Sequence, residues 1–224
     1  MDLFPEIPVY ITHLSTLVER KELLSSTLLS LGITPIWVER EDIPLNFYNP
    51  EPSLWKSKLE VSYPCDSTPS RRLRDSELSI GIKQYECWVK AASLKTEFVL
   101  ILEDDVLLQD NFIINFNSFL KSTPPDWDII FIGEGCNLHV PNPNPSIVAY
   151  PVSPPRTRCL DSYLIKRTLC DELSKSILPI TLPIDFEVTY ALVRLQSKCY
   201  WWEPILTTQG SQMGRFPSAI QLNE

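Results

Sequence analysis

An apolar run that ends in three carboxylates is the part of the sequence best suited to chemistry. Residues 98–102 read Phe-Val-Leu-Ile-Leu, and Glu103, Asp104 and Asp105 follow directly. Such a run predicts a strand buried on both faces of a sheet, and ligands of open α/β sheets bind at the carboxyl ends of strands. Because adjacent carboxylates repel one another, a divalent cation held by Asp105 and Glu103 would offset that cost. The alternative is a solvated acidic turn that caps the next helix.

The elements that must position this strand follow from the hydrophobic pattern, which alternates between short apolar runs and segments of helical period. Strands are expected at residues 7–12, 33–38, 98–102, 128–132, 147–150 and 198–202. Helices are expected after Thr16, at about 76–95, after Asp110, and at about 161–176 and 185–196. Thr16 and Glu19 have the spacing of a capping box, and Gly32 is expected to end the first helix. We interpret this order as one α/β domain over residues 1–224, with a mixed, mostly parallel sheet and helices on both faces.

Two segments depart from the alternation. Residues 41–75 are rich in proline, serine and charge, which predicts an irregular excursion with a short helix near residues 54–59. Residues 207–224 contain Gly210 and Gly214 among polar neighbours, which predicts a tail able to act as a lid over a bound ligand.

Composition restricts the partners and the compartment. The net charge is −8 and the pI about 4.9, which argues against nucleic acid or an anionic membrane as a general partner. No apolar stretch approaches the roughly 20 residues of a membrane span, and the first residues lack the features of a signal peptide. We therefore expect a cytoplasmic protein without a transmembrane segment. The six cysteines include no C-x-x-C pair, so neither a zinc site nor a disulfide framework is predicted.

Several segments, taken in order, resemble one enzyme family. They are Val9-Tyr10-Ile11-Thr12-His13-Leu14 with Arg20, Glu77-Leu78-Ser79 with Trp88, Glu103-Asp104-Asp105, Asp128-Ile129-Ile130-Phe131-Ile132-Gly133, Leu182-Pro183-Ile184-Asp185, and Glu203-Pro204 with Gln209-Gly210-Ser211 and Gly214. Their order and spacing resemble glycosyltransferase family 25, which includes lipooligosaccharide and procollagen galactosyltransferases. The acidic triplet resembles the Asp-x-Asp motif of the GT-A fold. The resemblance therefore implies a GT-A-like single domain.

The resemblance implies an activity and the residues that carry it. A hexose, galactose or glucose, would pass from a UDP-sugar to a hydroxyl group of a glycan or protein acceptor, with inversion. Mn²⁺ or Mg²⁺, held by Asp105 and by Glu103, would neutralise the leaving diphosphate, and Glu103 is expected to act through water or the ribose hydroxyls. An inverting transfer needs a base for the acceptor proton. That base is expected to be Asp185, or else Glu187, and the alternative role for Asp185 is to cap the helix that follows.

The resemblance also implies residues that contact the nucleotide sugar. Thr12, at the end of the first predicted strand, is expected near the uracil. Glu39 or Asp42, after the second predicted strand, is expected to bind the ribose or the base, and the alternative for these carboxylates is a solvated turn. Lys83 is expected to face a phosphate, and Gln209 and Ser211 are expected to close over the phosphates.

One departure from the family pattern leaves alternatives open. Many members carry Ser-His on the helix before the acidic strand, where this chain has Lys83-Gln84, so no role resting on that imidazole is supported. A metal-dependent phosphohydrolase and a non-catalytic nucleotide-sugar-binding module remain as alternative functions. Arg20 is expected to pair with a surface carboxylate, and the alternative is contact with the diphosphate. The sequence identifies neither the sugar nor the acceptor.

Overall fold

The computed structural model of the chain describes residues 6–40 and 73–218. The strands are β1 (Val9–Leu14), β2 (Ile36–Arg40), β3 (Phe98–Glu103), β4 (Val106–Leu108), β5 (Ile129–Phe131), β6 (Ala149–Pro151), β7 (Ser162–Lys166), β8 (Cys199–Trp202) and β9 (Thr207–Gln209). The helices are α1 (Val18–Ser30), α2 (Asp75–Ala92), α3 (Phe112–Ser122), α4 (Arg167–Ser176) and α5 (Ile184–Arg194). Most of the predicted excursion, including the short helix near residues 54–59, lies outside the described residues.

Seven strands form the main sheet, in the order β2-β1-β3-β7-β5-β8-β6. The pairs β1–β2, β1–β3 and β5–β8 are parallel, while β7 is antiparallel to β3 and β5, and β6 is antiparallel to β8. Five strands therefore run in one direction and two run in the other. The predicted α/β class with a mixed, mostly parallel sheet is confirmed. The expected edge strand near residues 147–150 is β6.

Helices cover both faces of the sheet because successive strand residues point to opposite sides. In β3, Val99 and Ile101 pack into the core beneath α2, α4 and α5. Leu100 and Leu102 pack into the second core, beneath α1 and α3. All four side chains are fully buried, which explains the unbroken apolar run. None of the helices within the described residues has the length and apolar character that a membrane span requires.

Two sequence predictions about local structure are wrong. Residues 161–176 were expected to form one helix, but they form β7 followed by α4. The apolar residues Tyr163, Leu164 and Ile165 are contiguous and fully buried, as in a central strand covered on both faces. The predicted capping box is also absent, since α1 begins at Val18 with Leu17 at the N-cap and no side-chain cap.

The first helix ends just before Gly32, as predicted. Gly32 has φ +74, and the backbone N–H of Ile33 donates to the carbonyl oxygen of Leu28 at 2.9 Å. This is the left-handed helix end that glycine favours.

A second, two-stranded sheet joins the acidic turn to the expected lid segment. Strand β4 follows Asp105 directly and pairs antiparallel with β9, with Val106 opposite Gln209. Further along the segment, Phe216 is buried. The proposed lid segment thus starts from a strand that is hydrogen-bonded next to the carboxylates, and its mobility remains a prediction.

Candidate active site

The site lies at the edge of the sheet where β1 and β3 end and β7 begins. The N-terminal turns of α2 and α5 reach the same edge, and together these elements surround a cavity of about 560 Å³. Of the residues predicted to act, the cavity is lined by Thr12, Lys83, Glu103, Asp105, Asp185, Gln209 and Ser211. The sheet therefore gathers side chains from widely separated parts of the sequence at one place.

Asp105 combines a fixed orientation with an unsatisfied oxygen. Its Oδ2 accepts a hydrogen bond from the backbone N–H of Ser211 at 3.2 Å, and its carbonyl oxygen accepts one from Gly210 at 2.7 Å. Its Oδ1 is buried and has no hydrogen-bond partner among the described residues. A buried carboxylate oxygen without a partner is costly unless a ligand completes it.

Glu103 lies at the same edge, near the carboxylates of Asp105 and Asp161 and the ammonium group of Lys83. Burial first, and then the charges of Asp105 and Asp161, raise the pKa of Glu103 well above its usual value, while Lys83 opposes the shift. The amide Nε2 of Gln209 donates to Oε2 of Glu103 at 3.3 Å. The predicted phosphate-facing lysine and the predicted lid glutamine therefore both lie beside the acidic strand end.

Asp104, the middle carboxylate of the triplet, is held by two partners. His13 Nδ1 lies 2.8 Å from its Oδ2, and Arg20 donates to its Oδ1 at 2.8 Å. Burial alone would raise the pKa of Asp104, but the hydrogen bonds from His13 and Arg20 outweigh it and lower the pKa. Arg20 also donates to the carbonyl oxygen of Pro217 at 2.5 Å. The predicted surface partner of Arg20 is thus wrong: the arginine pairs with a buried carboxylate and holds the tail segment.

Asp161 is a carboxylate of the site that the sequence reasoning missed. It is 1% exposed, and its backbone oxygen accepts a hydrogen bond from the N–H of Glu103 at 2.7 Å. Burial raises its pKa to about 7; the Ser162 hydroxyl opposes the shift and Asp105 adds to it. Its Oδ1 has no hydrogen-bond partner within the described residues. The sequence does place Asp161 just before a short apolar run, a pattern similar to the one at Asp105, but the residues that follow favour a helix.

Gly133 makes room for this buried carboxylate. A Cβ atom at Gly133 would lie 2.0 Å from Oδ2 of Asp161 and 2.4 Å from Oγ of Ser162. The glycine at the end of the β5 segment is therefore required by close approach to the carboxylate cluster.

Asp185 is placed as the sequence predicted, at the start of a helix and in the wall of the cavity. The N-cap of α5 is Pro183, so Asp185 does not cap the helix. Its Oδ1 accepts only a local hydrogen bond, from the N–H of Phe186 at 3.1 Å. Burial raises the pKa of Asp185, and that hydrogen bond opposes the shift. A carboxylate with a raised pKa beside a cavity suits proton transfer.

Glu187, the alternative base, has a different environment and does not line the cavity. Its Oε1 accepts hydrogen bonds from the backbone N–H and the hydroxyl of Thr181, both at 2.7 Å, and from the N–H of Leu182 at 3.0 Å. The side chain is 4% exposed. These contacts favour a structural role in which Glu187 holds the loop before α5.

Replacing Glu187 by alanine is expected to lower stability by about 3 kcal/mol, because it leaves buried donors without a charged acceptor. Glu187→Gln, which keeps one acceptor oxygen, is expected to cost less. Denaturant unfolding of both variants measures the effect. Wild-type stability of Glu187→Ala together with lost sugar transfer would contradict the structural role.

Two of the residues predicted to contact the nucleoside lie in different places in the structure. Thr12 lines the cavity, and its buried Oγ1 has no hydrogen-bond partner among the described residues. Glu39 lies outside the cavity on the solvent side of β2, where it forms an ion pair with Lys21. The hydrogen bond from Lys21 lowers the pKa of Glu39. The predicted contact of Glu39 with the ribose or the base is therefore not supported, and its exposed ion pair fits the alternative of a solvated carboxylate. Asp42 lies outside the described residues.

The Lys83-Gln84 pair has two separate environments. Lys83 is buried at the cavity wall. Gln84 accepts a hydrogen bond from the Tyr163 hydroxyl at 2.6 Å, and that hydroxyl accepts one from the Trp88 indole at 3.0 Å. Gln84 and Trp88 therefore fix α2 to β7, while Lys83 alone faces the carboxylates.

Whether the site can hold a metal depends on its donor set. In the part of the chain that the structure describes, no group of three or more His, Cys, Asp or Glu side chains is arranged to hold a metal ion. The free Oδ1 of Asp105 and the carboxylate of Glu103 nevertheless supply hard oxygen ligands at the cavity. One or two carboxylates completed by substrate phosphates and water are a usual environment for Mg²⁺ in phosphate-binding sites. The residues present fit a divalent ion bound together with a diphosphate.

Comparisons with known proteins give the class of this molecule. The model of glycosyltransferase family 25, described as an LPS biosynthesis protein, matches residues 6–150. Among solved structures, the chain is similar to a glycosyltransferase involved in the glycosylation of the major capsid of PBCV-1, with 14% identity, coverage of 91% of each chain and a TM-score of 0.49. It is also similar to A197 from STIV, with 12% identity, coverage of 87% of this chain and 81% of that chain, and a TM-score of 0.48. No curated protein matches the sequence.

Because the family model matches more than half of the chain, the protein belongs to glycosyltransferase family 25. The resemblance drawn from the sequence motifs is confirmed. The protein is a glycosyltransferase, and the cavity is its candidate active site.

Proposed function

We propose that the protein transfers a hexose, galactose or glucose, from a UDP-sugar to a hydroxyl group of a glycan or protein acceptor, with inversion and with a divalent ion. The observation that carries the proposal is the cavity that brings Asp105, Glu103 and Lys83 together with Asp185. The first three residues suit a diphosphate with its cation, and the fourth suits the acceptor. Family membership supports transfer of a sugar.

The donor half of the proposed site is built on β3 and the β9 segment. Asp105 and Glu103 would hold Mn²⁺ or Mg²⁺, which supplies charge neutralisation for the diphosphate leaving group. Lys83 adds a positive charge from α2 in the cavity wall. Gln209 and Ser211, whose segment is hydrogen-bonded to Asp105, would close over the phosphates. Thr12 would offer its unpaired hydroxyl to the nucleoside.

The acceptor half is assigned to Asp185. An inverting transfer is a direct displacement, so the attacking hydroxyl must lose its proton to a base in the cavity. A carboxylate whose pKa is raised by burial holds that proton better than a free aspartate does. Asp185 is half-buried in the cavity wall, where an acceptor hydroxyl has access to it.

The pH dependence of transfer is expected to reflect Asp185. The base acts only when it is ionised, and its pKa is raised, so kcat should fall as the pH decreases through a value above the ordinary aspartate pKa of about 3.9. Measuring kcat from about pH 4 to pH 8, with UDP affinity at each pH as the control, tests this. The acid limb should be missing from the residual activity of Asp185→Asn, and an identical limb in that variant would contradict the assignment.

The proposal is tested with a panel of UDP- and GDP-sugars in the presence of Mn²⁺, monitored for donor hydrolysis without acceptor. Release of UDP together with free galactose or glucose is expected, and a chelator should stop it. Turnover of GDP-sugars alone would contradict the donor assignment. Formation of phosphate from the nucleotide without sugar release would indicate a phosphohydrolase instead.

A further inference from the structure

Two cysteines meet on the cavity wall, and the proposed reaction uses neither. Cys136 lies in the turn after β5, and Cys159 lies in the segment before β7. Their sulfur atoms are 3.4 Å apart, with the Cys159 thiol donating to Cys136 Sγ. Both residues line the same cavity as Asp185. The Cys136 side of the pair is exposed to solvent.

The backbone holds the two thiols together at a conformational cost. Cys136 has φ 56 and Cys159 has φ 60, the left-handed region that is unfavourable for residues other than glycine. A Cβ atom at the neighbouring Gly135 would lie 2.2 Å from Cys159 Cβ, so only glycine lets the two segments approach so closely. Such strain persists only where the surrounding structure enforces it.

A buried arginine holds these two segments in place. Arg158, which precedes Cys159 and is 0% exposed, donates to the carbonyl oxygens of Leu138 at 2.5 Å and Trp202 at 2.9 Å. It also pairs with Glu203, whose carboxylate accepts the N–H of Val140 at 3.1 Å. The Cys159 segment is thereby fixed to the loop that follows Cys136.

The pair differs chemically from the other described cysteines. The hydrogen bond from Cys159 lowers the pKa of Cys136 to about 7, against the opposing effects of burial and of Asp185. Burial raises the pKa of Cys87, Cys170 and Cys199, which keeps these thiols protonated. Because the thiolate is the reactive form, an oxidant should select Cys136.

We propose that Cys136 and Cys159 form a reversible thiol–disulfide site that reacts with peroxides. The Cys136 thiolate attacks one peroxide oxygen, the O–O bond breaks, and a sulfenic acid and one water form once a proton is taken up. The Cys159 sulfur then attacks the sulfenic sulfur, the S–O bond breaks, and a second water leaves. Two thiols lose two electrons and two protons in total, and one hydrogen peroxide is reduced to two waters. A dithiol reverses the reaction by exchange.

The regulatory consequence rests on the function proposed above. A disulfide brings sulfur atoms to about 2.0 Å, so its formation draws the turn at Gly135–Asn137 against the segment before β7. Cys136, Cys159 and Asp185 line the same cavity, and the charge of Asp185 acts on both thiols. Oxidation should therefore lower sugar transfer by about tenfold or more, and reduction should restore it.

The test treats the full-length protein with hydrogen peroxide, blocks the remaining thiols by alkylation, and maps disulfides by mass spectrometry. A Cys136–Cys159 cross-link is expected in the wild type and in the control Cys65→Ser, and in neither Cys136→Ser nor Cys159→Ser. No cross-link between these residues in oxidised wild type would overturn the site. Because wild type alone decides that result, it holds even if a serine variant fails to fold.

Sugar transfer is measured on the same samples, and the rate of each oxidised sample is divided by the rate of its own reduced form. Loss of transfer in oxidised wild type, recovery with dithiothreitol and resistance of the serine variants support the regulatory role. A mapped cross-link with unchanged transfer would overturn it. If the reduced protein turns over no donor at all, the proposed function fails, while the disulfide map still decides the thiol site.

Discussion

Asp105→Asn is expected to weaken UDP binding in the presence of Mn²⁺ by at least about 100-fold, or about 2.7 kcal/mol. The substitution keeps the size of the side chain and an oxygen that can accept the hydrogen bond from Ser211. It removes the charge that would hold the cation between the protein and the diphosphate. Calorimetric titration of UDP with and without Mn²⁺ measures the effect, and the variant should show the same weak binding in both conditions.

Asp110→Asn is the matched control for this experiment. Asp110 is exposed beyond β4 and does not line the cavity, so the same change of charge there should leave UDP binding unaltered. Wild-type protein that binds UDP equally well in the presence of a chelator would contradict the metal assignment, because the diphosphate and the carboxylates would then be in contact without a cation.

Asp185→Asn is expected to reduce transfer by about 10²–10⁴-fold, the usual contribution of a general base. UDP affinity should change by no more than a few fold, because the base acts on the acceptor and not on the nucleotide. The asparagine can still accept the local hydrogen bond from Phe186, so the fold should be retained. Steady-state kinetics with the donor identified by the sugar panel give kcat, and calorimetry gives the affinity for UDP.

Glu187→Gln is the control that separates an effect on catalysis from an effect on stability. It makes the same carboxylate-to-amide change two residues away, outside the cavity, and should affect stability more than transfer. If Asp185→Asn loses UDP binding together with transfer, Asp185 contacts the donor and another group must accept the proton.

The strand that ends in carboxylates was predictable because its physical requirement is simple. A strand covered on both faces must be apolar at every position, and charge can begin only where the cover ends. The same requirement was not enough to predict the position of Asp161. The apolar run that follows it, Tyr163 to Ile165, is short and is succeeded by residues of helical period, so strand and helix fit this run equally well. The position of β7 beside β3 depends on the order of strands in the sheet, which local sequence patterns do not determine.

Two other parts of the site depend on contacts between distant residues. Glu39 was expected beyond the end of a strand, but β2 continues to Arg40, and the alternation within it turns Glu39 outward to Lys21. His13 and Arg20 contact Asp104 because β1, which carries His13 and leads into α1 with Arg20, lies beside β3 in the sheet. No spacing along the chain indicates either pairing, so only the folded sheet reveals them.

Hydrogen exchange followed by mass spectrometry, with and without UDP and Mn²⁺, tests most directly the claim that this cavity binds the donor. Slower exchange is expected at residues 98–105 and 207–216 and around Thr12, because bound nucleotide should order the segment that begins with β9. Helix α4, which does not line the cavity, should exchange at the same rate in both states. Protection confined to residues 21–29 and 36–40, on the outer side of α1 and β2, would place the nucleotide elsewhere and contradict the proposed site.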